Sequence, residues 1–569
     1  MRLSTVWSCT FIFLMAPLHA SAQTSAMSIA SLGDGGQLLT RGATLAGCSD
    51  GGAKIAFSSS SPDVVSGDTN GVADVFLRDT TTGSVTVISS FRGTPGNAAS
   101  GDVGLGGRVG VTRDGRYIAY ASVASTISSP LNTSGLSHII VHDTLNNRNS
   151  LVSLTSSGAV TETGQQYEPS ISDNGSKVAF VSTASDLVGD DSNGNIDVFI
   201  RDSIAGSTTR VSVDGSGMER ASPSNAPRIS GDGSVVLFGT FGGFAPDDVT
   251  STYDFYVKTI STGAIERVGN TANGEQPAQS SQRAALSRDG RYVAFSSYSS
   301  DHVVKDDNST IDVFLYDRTT KVTKLVSTNA LGGLTNDGAS GVNVVDISPD
   351  GRYVFFDSTS NQLTAADTIS GVFNLFVKDT VTGAVSIVDQ NPGGSQLASG
   401  ATLGALCGVG PVTALIEASD GLVQGDTNGA NDFILASLSN PVIPPLEKGT
   451  NLRLPPAVSV ADNTATVTLA AFNGVTLGKG KRAFRLPDGS LEYVEVSRAV
   501  KVKVNYVVTV ASLGGARRDS RVKNSTRNII TFRNLPPAVY KVSYRVQAVS
   551  KGKVLFQTKP SPASNFTIP

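Results

Sequence analysis

The chain repeats itself, and the repeat limits its fold more than any other feature. One unit reads "SDGGAKIAFSSSSPDVVSGDTNGVADVFLRDTTTGSVTVIS" (49–89). It returns as "SDNGSKVAFVSTASDLVGDDSNGNIDVFIRDSIAGSTTRVS" (172–212) and as "SRDGRYVAFSSYSSDHVVKDDNSTIDVFLYDRTTKVTKLVS" (287–327). Weaker copies start near Thr112, Ser230, Ser348 and Cys407, which makes seven. The period is about 60 residues, within reach of known blade lengths. Within a unit, a short "PSIS"-like segment precedes an Asp-Gly turn and an alternating run such as Lys177–Phe180. A polar loop, a "DVF" segment, a Thr-Gly turn and a last strand such as Thr209–Ser212 follow. Only 16% of residues are charged and 60 of 569 are glycine, as short strands joined by many turns require. Helical periodicity is nowhere sustained, so a helical solenoid is set aside.

Four short strands per unit describe one blade of a β-propeller. The ends of the array show how the ring closes. Copies one to six finish with a strand and a Gly-rich tail, as in "TTRVSVDGSGMERAS" (208–222), whereas copy seven stops at "DFILASLSN". The missing piece stands near the start of the chain, in "MSIASLGDGGQLLTRGA" (27–43). An N-terminal strand is therefore expected to complete the last blade, because an open ring would leave strand edges free to pair with other chains. Six full blades and one split blade are expected, a six-bladed ring with a degenerate copy being the alternative.

With "SRDGRYVAF" (287–295), "SPDGRYVFF" (348–356) and "DVFLRDTTTG" (74–83) in register, residues 27–437 resemble the TolB-like, WD-like propeller repeat family. The resemblance implies the fold. It implies no single function, since such propellers serve both as binding platforms and as parts of enzymes. The blades are longer than is usual for that family, mainly through the loop before "DVF".

Residues 1–22 carry Arg2, an apolar run and Ala20-Ser21-Ala22, the pattern of a cleavable secretory signal, and cleavage is expected after Ala22. Cys9 lies inside the apolar run, which argues against a lipid anchor. No segment offers the ~20 apolar residues of a membrane span. A secreted or periplasmic monomer is expected, with the propeller over 23–440, a Pro-rich linker over 441–450 and a second all-β domain over 451–569. Cys48 and Cys407 precede the same strand of copies one and seven, neighbours in a closed ring. A disulfide across the seam is one reading and two buried thiols the other.

The second domain alternates in "VKVNYVVTV" (502–510) and "YKVSYRVQAV" (540–549). Its last forty residues resemble the end of a fibronectin type III domain, with Leu535, Pro537 and Tyr540 placed as the family's corner requires. The resemblance implies a β-sandwich with Tyr540 as its tyrosine corner; the first half departs from it, having no Trp in an early core strand. Charge separates the two parts: residues 449–569 hold 19 Lys+Arg and 5 Asp+Glu, a formal +14, against −17 for residues 1–448. A basic module suits a protein or an anionic envelope polymer, unless it faces its own acidic propeller. Nucleic acid is excluded for want of aromatics interleaved with the basic residues.

Chemistry-bearing residues are few. His138 and His142 in "HIIVHD" align with a strand, where four residues span ~13 Å and one metal cannot be shared. His142 occupies the slot of Arg78 and Arg201, for which a surface position is expected. No Gly-x-Ser-x-Gly elbow, Cys-x-x-Cys pair or Walker loop is present. What remains is a loop written Asp-x-Asn-Gly-x-x-Asp, as Asp68, Asn70 and Asp74, as Asp191, Asn193 and Asp197, and as Asp426, Asn428 and Asp432. Asp306, Asn308 and Asp312 form a variant with serine for glycine. Calcium wants six to eight oxygens, and the extra upstream Asp of integrin-type loops is replaced by Ser66, Gly189, Val304 and Gln424. Each loop is thus either a weak calcium site or a turn whose Asn and Gly set the backbone, with copies one, three and seven the best candidates. The function expected is non-catalytic binding or scaffolding, the alternative a carboxylate-based enzyme acting on an extracellular polymer such as a polysaccharide.

Overall fold

In the computed structural model each repeat folds into one four-stranded antiparallel sheet. The structure describes residues 24–438, apart from short stretches of loop, and between 457 and 568 the strands alone; the signal segment 1–22 lies outside the described residues. Blade 1 is built from Thr44–Cys48, Lys54–Ser59, Asp74–Asp79 and Val85–Val87, paired in that order from the central channel outward. Blades 2 to 6 repeat the plan. Blade 7 takes Leu403–Leu406, Thr413–Ala418 and Asp432–Leu438 from the end of the array and its outer strand, Thr24–Ile29, from the beginning. Met27 stands opposite Ala436 and Ile29 opposite Ile434. The ring has seven blades, and the six-bladed alternative falls.

The two middle strands of each blade are covered on both faces by neighbouring blades, so their sequences run apolar instead of alternating. Ile55, Ala56 and Phe57 are all buried, as are Val178, Ala179 and Phe180. Phenylalanines directly opposite in register stack at the same place in four blades: Phe57 with Phe76, Phe180 with Phe199, Phe295 with Phe314 and Phe356 with Phe376, at 5.5–6.0 Å. Such pairs add roughly 0.5–1.5 kcal/mol each beyond the burial of area.

The "S-x-D-G-R-Y" turn is equally local. Ser287 Oγ donates to Asp289 at 2.6 Å and accepts from the Tyr292 amide at 2.8 Å. Gly290 supplies the left-handed residue at φ 70°. Arg291 then lies over the Tyr292 ring at 4.7 Å and pairs with Asp317 at 2.7 Å.

Between blades, polar side chains join backbone to backbone. The fifth residue of the third strand is Arg78, His142, Arg201, Lys258, Tyr316 and Lys378 in blades 1 to 6. Lys258 Nζ reaches the carbonyls of Val213 at 2.7 Å and Asp214 at 3.1 Å in the preceding blade, and Lys378 Nζ those of Thr328 at 2.7 Å and Asn329 at 2.9 Å. Arg201 Nη1 reaches Thr155 O at 3.2 Å. The slot is not a surface position, and the expectation for His142 fails with it: His142 is buried, its Nδ1 3.0 Å from Asn149 Oδ1. A charged side chain was legible there, but its direction into the gap between blades was not.

The chain divides into two units, Met1–Val442 and Ile443–Pro569. In the second, Thr464–Thr468 pairs with Ala457–Ala461 on one side and Ile529–Phe532 on the other. The long strands Val500–Ser512 and Ala538–Ser550 pair with each other, and Tyr540 stands opposite Ser512 and Phe566. Ser520–Ser525 extends this sheet at Val500–Ser512, while Lys553–Gln557 and Ser564–Ile568 pair with Ala538–Ser550. Among the described residues no helix is long and apolar enough to cross a membrane.

Candidate functional site: the central channel and the blade loops

The inner strands of all seven blades line a cavity of about 710 Å³ on the propeller axis. At the end of the short turns it is narrowed by backbone. Asp50 N donates to Arg113 O at 2.8 Å, Asp173 N to Gly231 O at 2.8 Å and Gly231 N to Arg288 O at 2.7 Å. Ion pairs cross the same end, Arg113 to Asp50 at 2.6 Å and Arg288 to Asp173. A side chain at Gly231 would meet the Asp173 carboxylate, which would have to shift.

Further along the channel the walls differ. Blades 1 and 7 present Leu45, Ala46, Ala405 and Leu406, whereas blades 2 to 6 present Arg108, Glu168, Arg228, Arg283 and Asp346. Local backbone sets this up. The inner strands of blades 1, 3 and 4 carry β-bulges with a non-glycine residue in the left-handed region: Leu45 at φ 48°, Glu168 at φ 48° and Ala226 at φ 54°. Bulges re-aim side chains, and such outliers gather at functional sites. The Ala226 amide donates to Glu168 Oε2 at 3.0 Å, and the Leu406 amide to Asp346 Oδ2 at 2.8 Å.

Enclosure pushes the Glu168 and Asp346 carboxyls up, against the pull of the arginines. It pushes Arg108 and Arg228 down, though a guanidinium stays charged at neutral pH. None of Arg108, Arg228 and Arg283 makes a contact ion pair among the described residues. At the mouth, half-exposed Phe241 meets Tyr253 edge-on at 4.9 Å, and the Tyr253 hydroxyl donates to Asn225. Sequence reasoning missed this cluster; its one signal was a charge in inner strands otherwise made of small and apolar residues. Cys48 and Cys407 are disulfide-bonded at the seam of blades 1 and 7, with Cα atoms 5.5 Å apart.

The Asp-x-Asn-Gly loops sit between second and third strands, at the wider end. Their asparagine is a bracket. Asn70 Oδ1 accepts from the Val72 amide at 3.0 Å, while its Nδ2 donates to Asp74 at 2.6 Å and to Gly96 O at 2.9 Å. Asn193 and Asn428 do the same for Asp197 and Asp432, and Asn308 holds Thr335 O at 2.9 Å. The downstream aspartate ties the loop to the outer strand: Ser89 to Asp74, Ser212 to Asp197 and Ser327 to Asp312, each at 2.5 Å.

The surroundings of the upstream position differ among the copies. Asp191 lies beside Asp197 and Glu219, and the Arg210 guanidinium occupies the space among them, Nη1 2.6 Å from Glu219 and 3.2 Å from Asp191. Asp248, the counterpart in blade 4, accepts from the Tyr256 hydroxyl and from Gln276 Nε2 at 2.6 Å. Blade 2 has neutral Asn132. Asp68 and Asp306 are 4% and 9% exposed, and each has one carboxylate oxygen without a hydrogen-bond partner. Burial raises the Asp68 carboxyl. Burial, with Asp312 adding to it, lifts Asp306 to about 7. Asp74 rises to about 6, by burial first and then by repulsion from Asp68.

The three histidines among the described residues are buried and held neutral. His138 lies between Ser153 Oγ at 3.2 Å and Ser134 Oγ at 3.0 Å, and burial pushes it down to about 4. His302 packs against Phe295 and Phe314 at 5.1 and 4.8 Å.

No family model and no curated relative matches the chain. Among solved structures it is similar to an oligogalacturonate lyase from Vibrio parahaemolyticus, at 12% identity and TM-score 0.42, over 74% of this chain and 98% of that one. It is similar to a putative TolB from Agrobacterium tumefaciens, at 14% identity and TM-score 0.30, over 50% and 80%. The WD40 repeats of RRP9 match at 10% identity and TM-score 0.37, over 74% and 99%. Likeness at this level carries no argument about what the chain does. By its own strand pairing the chain is a seven-bladed β-propeller.

Proposed function

We propose that this protein is an exported binding protein whose propeller takes an anionic ligand at the wider end of its channel. The observation that carries the reading is the placement of Arg108, Arg228 and Arg283 around one cavity, with no contact ion pair of their own among the described residues. Guanidiniums lining a channel are matched to carboxylate or phosphate, and each charge-assisted hydrogen bond contributes roughly 1.5–3 kcal/mol. Phe241 and Tyr253 at the mouth supply an apolar face for the uncharged part of the ligand. Calorimetry with an acidic hexapeptide and a carboxylated hexasaccharide tests the reading. Arg228→Ala is expected to weaken the preferred probe at least tenfold; binding unchanged in an Arg108→Ala, Arg228→Ala double variant would sink it.

The same reading makes the second unit a basic, fibronectin type III-like sandwich that docks on an anionic partner. Its support is the formal +14 charge of residues 449–569 and the pairing of its strands into a three-stranded sheet and a larger one. Retention of the full chain on a sulfated matrix should fall steeply with salt, and fall further in an Arg517→Ser, Arg518→Ser variant. Export through cleavage after Ala22, and a monomeric state, belong to this proposal; the mature N-terminus and the sedimentation mass test them.

A second reading, a carboxylate-based enzyme on an extracellular polymer, draws on Glu168 and Asp346, whose raised carboxyls share the channel with arginine. Turnover of a polysaccharide, lost in Glu168→Gln while binding persists, would select it.

A further inference from the structure

The blades provide a comparison within one molecule. At the position six residues before the third strand, five copies carry a buried or half-buried aspartate: Asp68, Asp191, Asp248, Asp306 and Asp426. In blade 3 a cation is built in, since Arg210 of the outer strand inserts its guanidinium among Asp191, Asp197 and Glu219. In blade 4 the carboxylate is met by neutral donors, Tyr256 and Gln276. In blades 1 and 5 the residues that align with Arg210 are Val87 and Leu325, which carry no charge. There the loop buries two carboxylates together, and Asp68 Oδ1 and Asp306 Oδ1 are left without partners. In blade 5 a second oxygen is stranded in the same junction: Thr335 is fully buried with its hydroxyl unpartnered, and its carbonyl is held by Asn308.

Each upstream carboxylate is met only by the amide two residues on, Asn70 or Asn308; a buried ionised carboxylate with an unmatched oxygen is costly, and a second one beside it more so. The turn geometry does not need the upstream carboxylate, because asparagine and the downstream aspartate complete the bracket and Asn132 serves in blade 2. We propose that blades 1 and 5 each bind a divalent, oxygen-seeking cation of the calcium kind, through Asp68 with Asp74 and through Asp306 with Asp312, where blade 3 uses Arg210. Calcium fits better than a softer metal because the paired side chains, Asp68 with Asp74 and Asp306 with Asp312, offer oxygen alone, and backbone carbonyls and water complete its shell. With two side-chain carboxylates per site, dissociation constants on the order of 10⁻⁴–10⁻³ M follow, the range of extracellular modules. The sequence favoured copies one, three and seven; the structure fills copy three with Arg210 and adds copy five.

Calorimetric titration of calcium chloride into chelator-treated full-length protein tests this, together with a melting curve in millimolar calcium. Two equivalents are expected, with a rise in melting temperature. Asp68→Asn and Asp306→Asn should each remove one equivalent, and both together should remove both; blade 2 shows that asparagine is accommodated at this position. No heat and no shift in melting temperature at millimolar calcium would overturn the proposal, as would calcium binding that persists in the double variant. Variants that are stabilised alike with and without calcium would overturn it too, since the carboxyls would then be protonated pairs.

Discussion

Ser31 Oγ donates to Asp432 Oδ1 at 2.7 Å across 401 residues of chain, and accepts from the Phe433 amide at 2.9 Å. The same pair of bonds recurs inside single repeats, where Ser212 serves Asp197 and the Val198 amide at 2.5 and 3.0 Å. The N-terminal strand thus closes the ring with the latch that blades 1, 3 and 5 use for their own outer strands. Ser31→Ala should cost about 1–3 kcal/mol, because the buried Asp432 loses a donor. Limited proteolysis should then cut near residue 30 faster than in the wild type, while Ser212→Ala should cost as much stability without exposing the N-terminus.

The disulfide between Cys48 and Cys407 closes a loop across a sequence separation of 359. On the chain-entropy account a loop of that length is worth roughly 6 kcal/mol through the unfolded state. A Cys48→Ser, Cys407→Ser variant should therefore unfold at lower denaturant than oxidised wild type, and its midpoint should no longer respond to reductant.

Lys258 bridges two carbonyls of the preceding blade. Replacing it with methionine keeps the apolar stem and strands both acceptors, for an expected loss of about 1–3 kcal/mol. Lys54→Met removes a surface pair with Asp79 at 2.6 Å and should change stability by less than about 1 kcal/mol. Urea unfolding of the two variants side by side separates the buried cation from the exposed one.

Acid should destabilise the propeller through His138. Its folded pKa is about 4 against an ordinary value of 6.5, with burial the main cause and Asp186 the facing carboxylate that opposes it. As pH falls below 6.5 the unfolded chain takes up a proton that this histidine refuses in the folded protein until about 4, so its contribution to stability drops across that window and levels off below it. His142 and His302 are lowered too and act in the same direction. In His138→Asn, with the residue that blade 6 carries as Asn374, the shift in urea midpoint between pH 7 and pH 5 should be smaller than in the wild type.

What the sequence by itself determined is everything that depends on neighbours along the chain. The Ser-x-Asp-Gly turns, the strand order, the seven copies and the displaced outer strand were legible because each is written within one repeat or by its absence from one. The Asp-x-Asn-Gly loops were legible as loops for the same reason. The tertiary structure alone decided what the charges do, because their partners come from other copies. Lys258 and Arg201 turn inward because packed blades leave backbone carbonyls to be satisfied between them. Arg108, Glu168, Arg228, Arg283 and Asp346 form a site only because a closed ring brings five inner strands, far apart in sequence and differing in residue type, to one axis. Arg210 separates blade 3 from blades 1 and 5 because a single outer-strand position carries a charge in one and an apolar side chain in the others, and only pairing of the strands brings it to the aspartates.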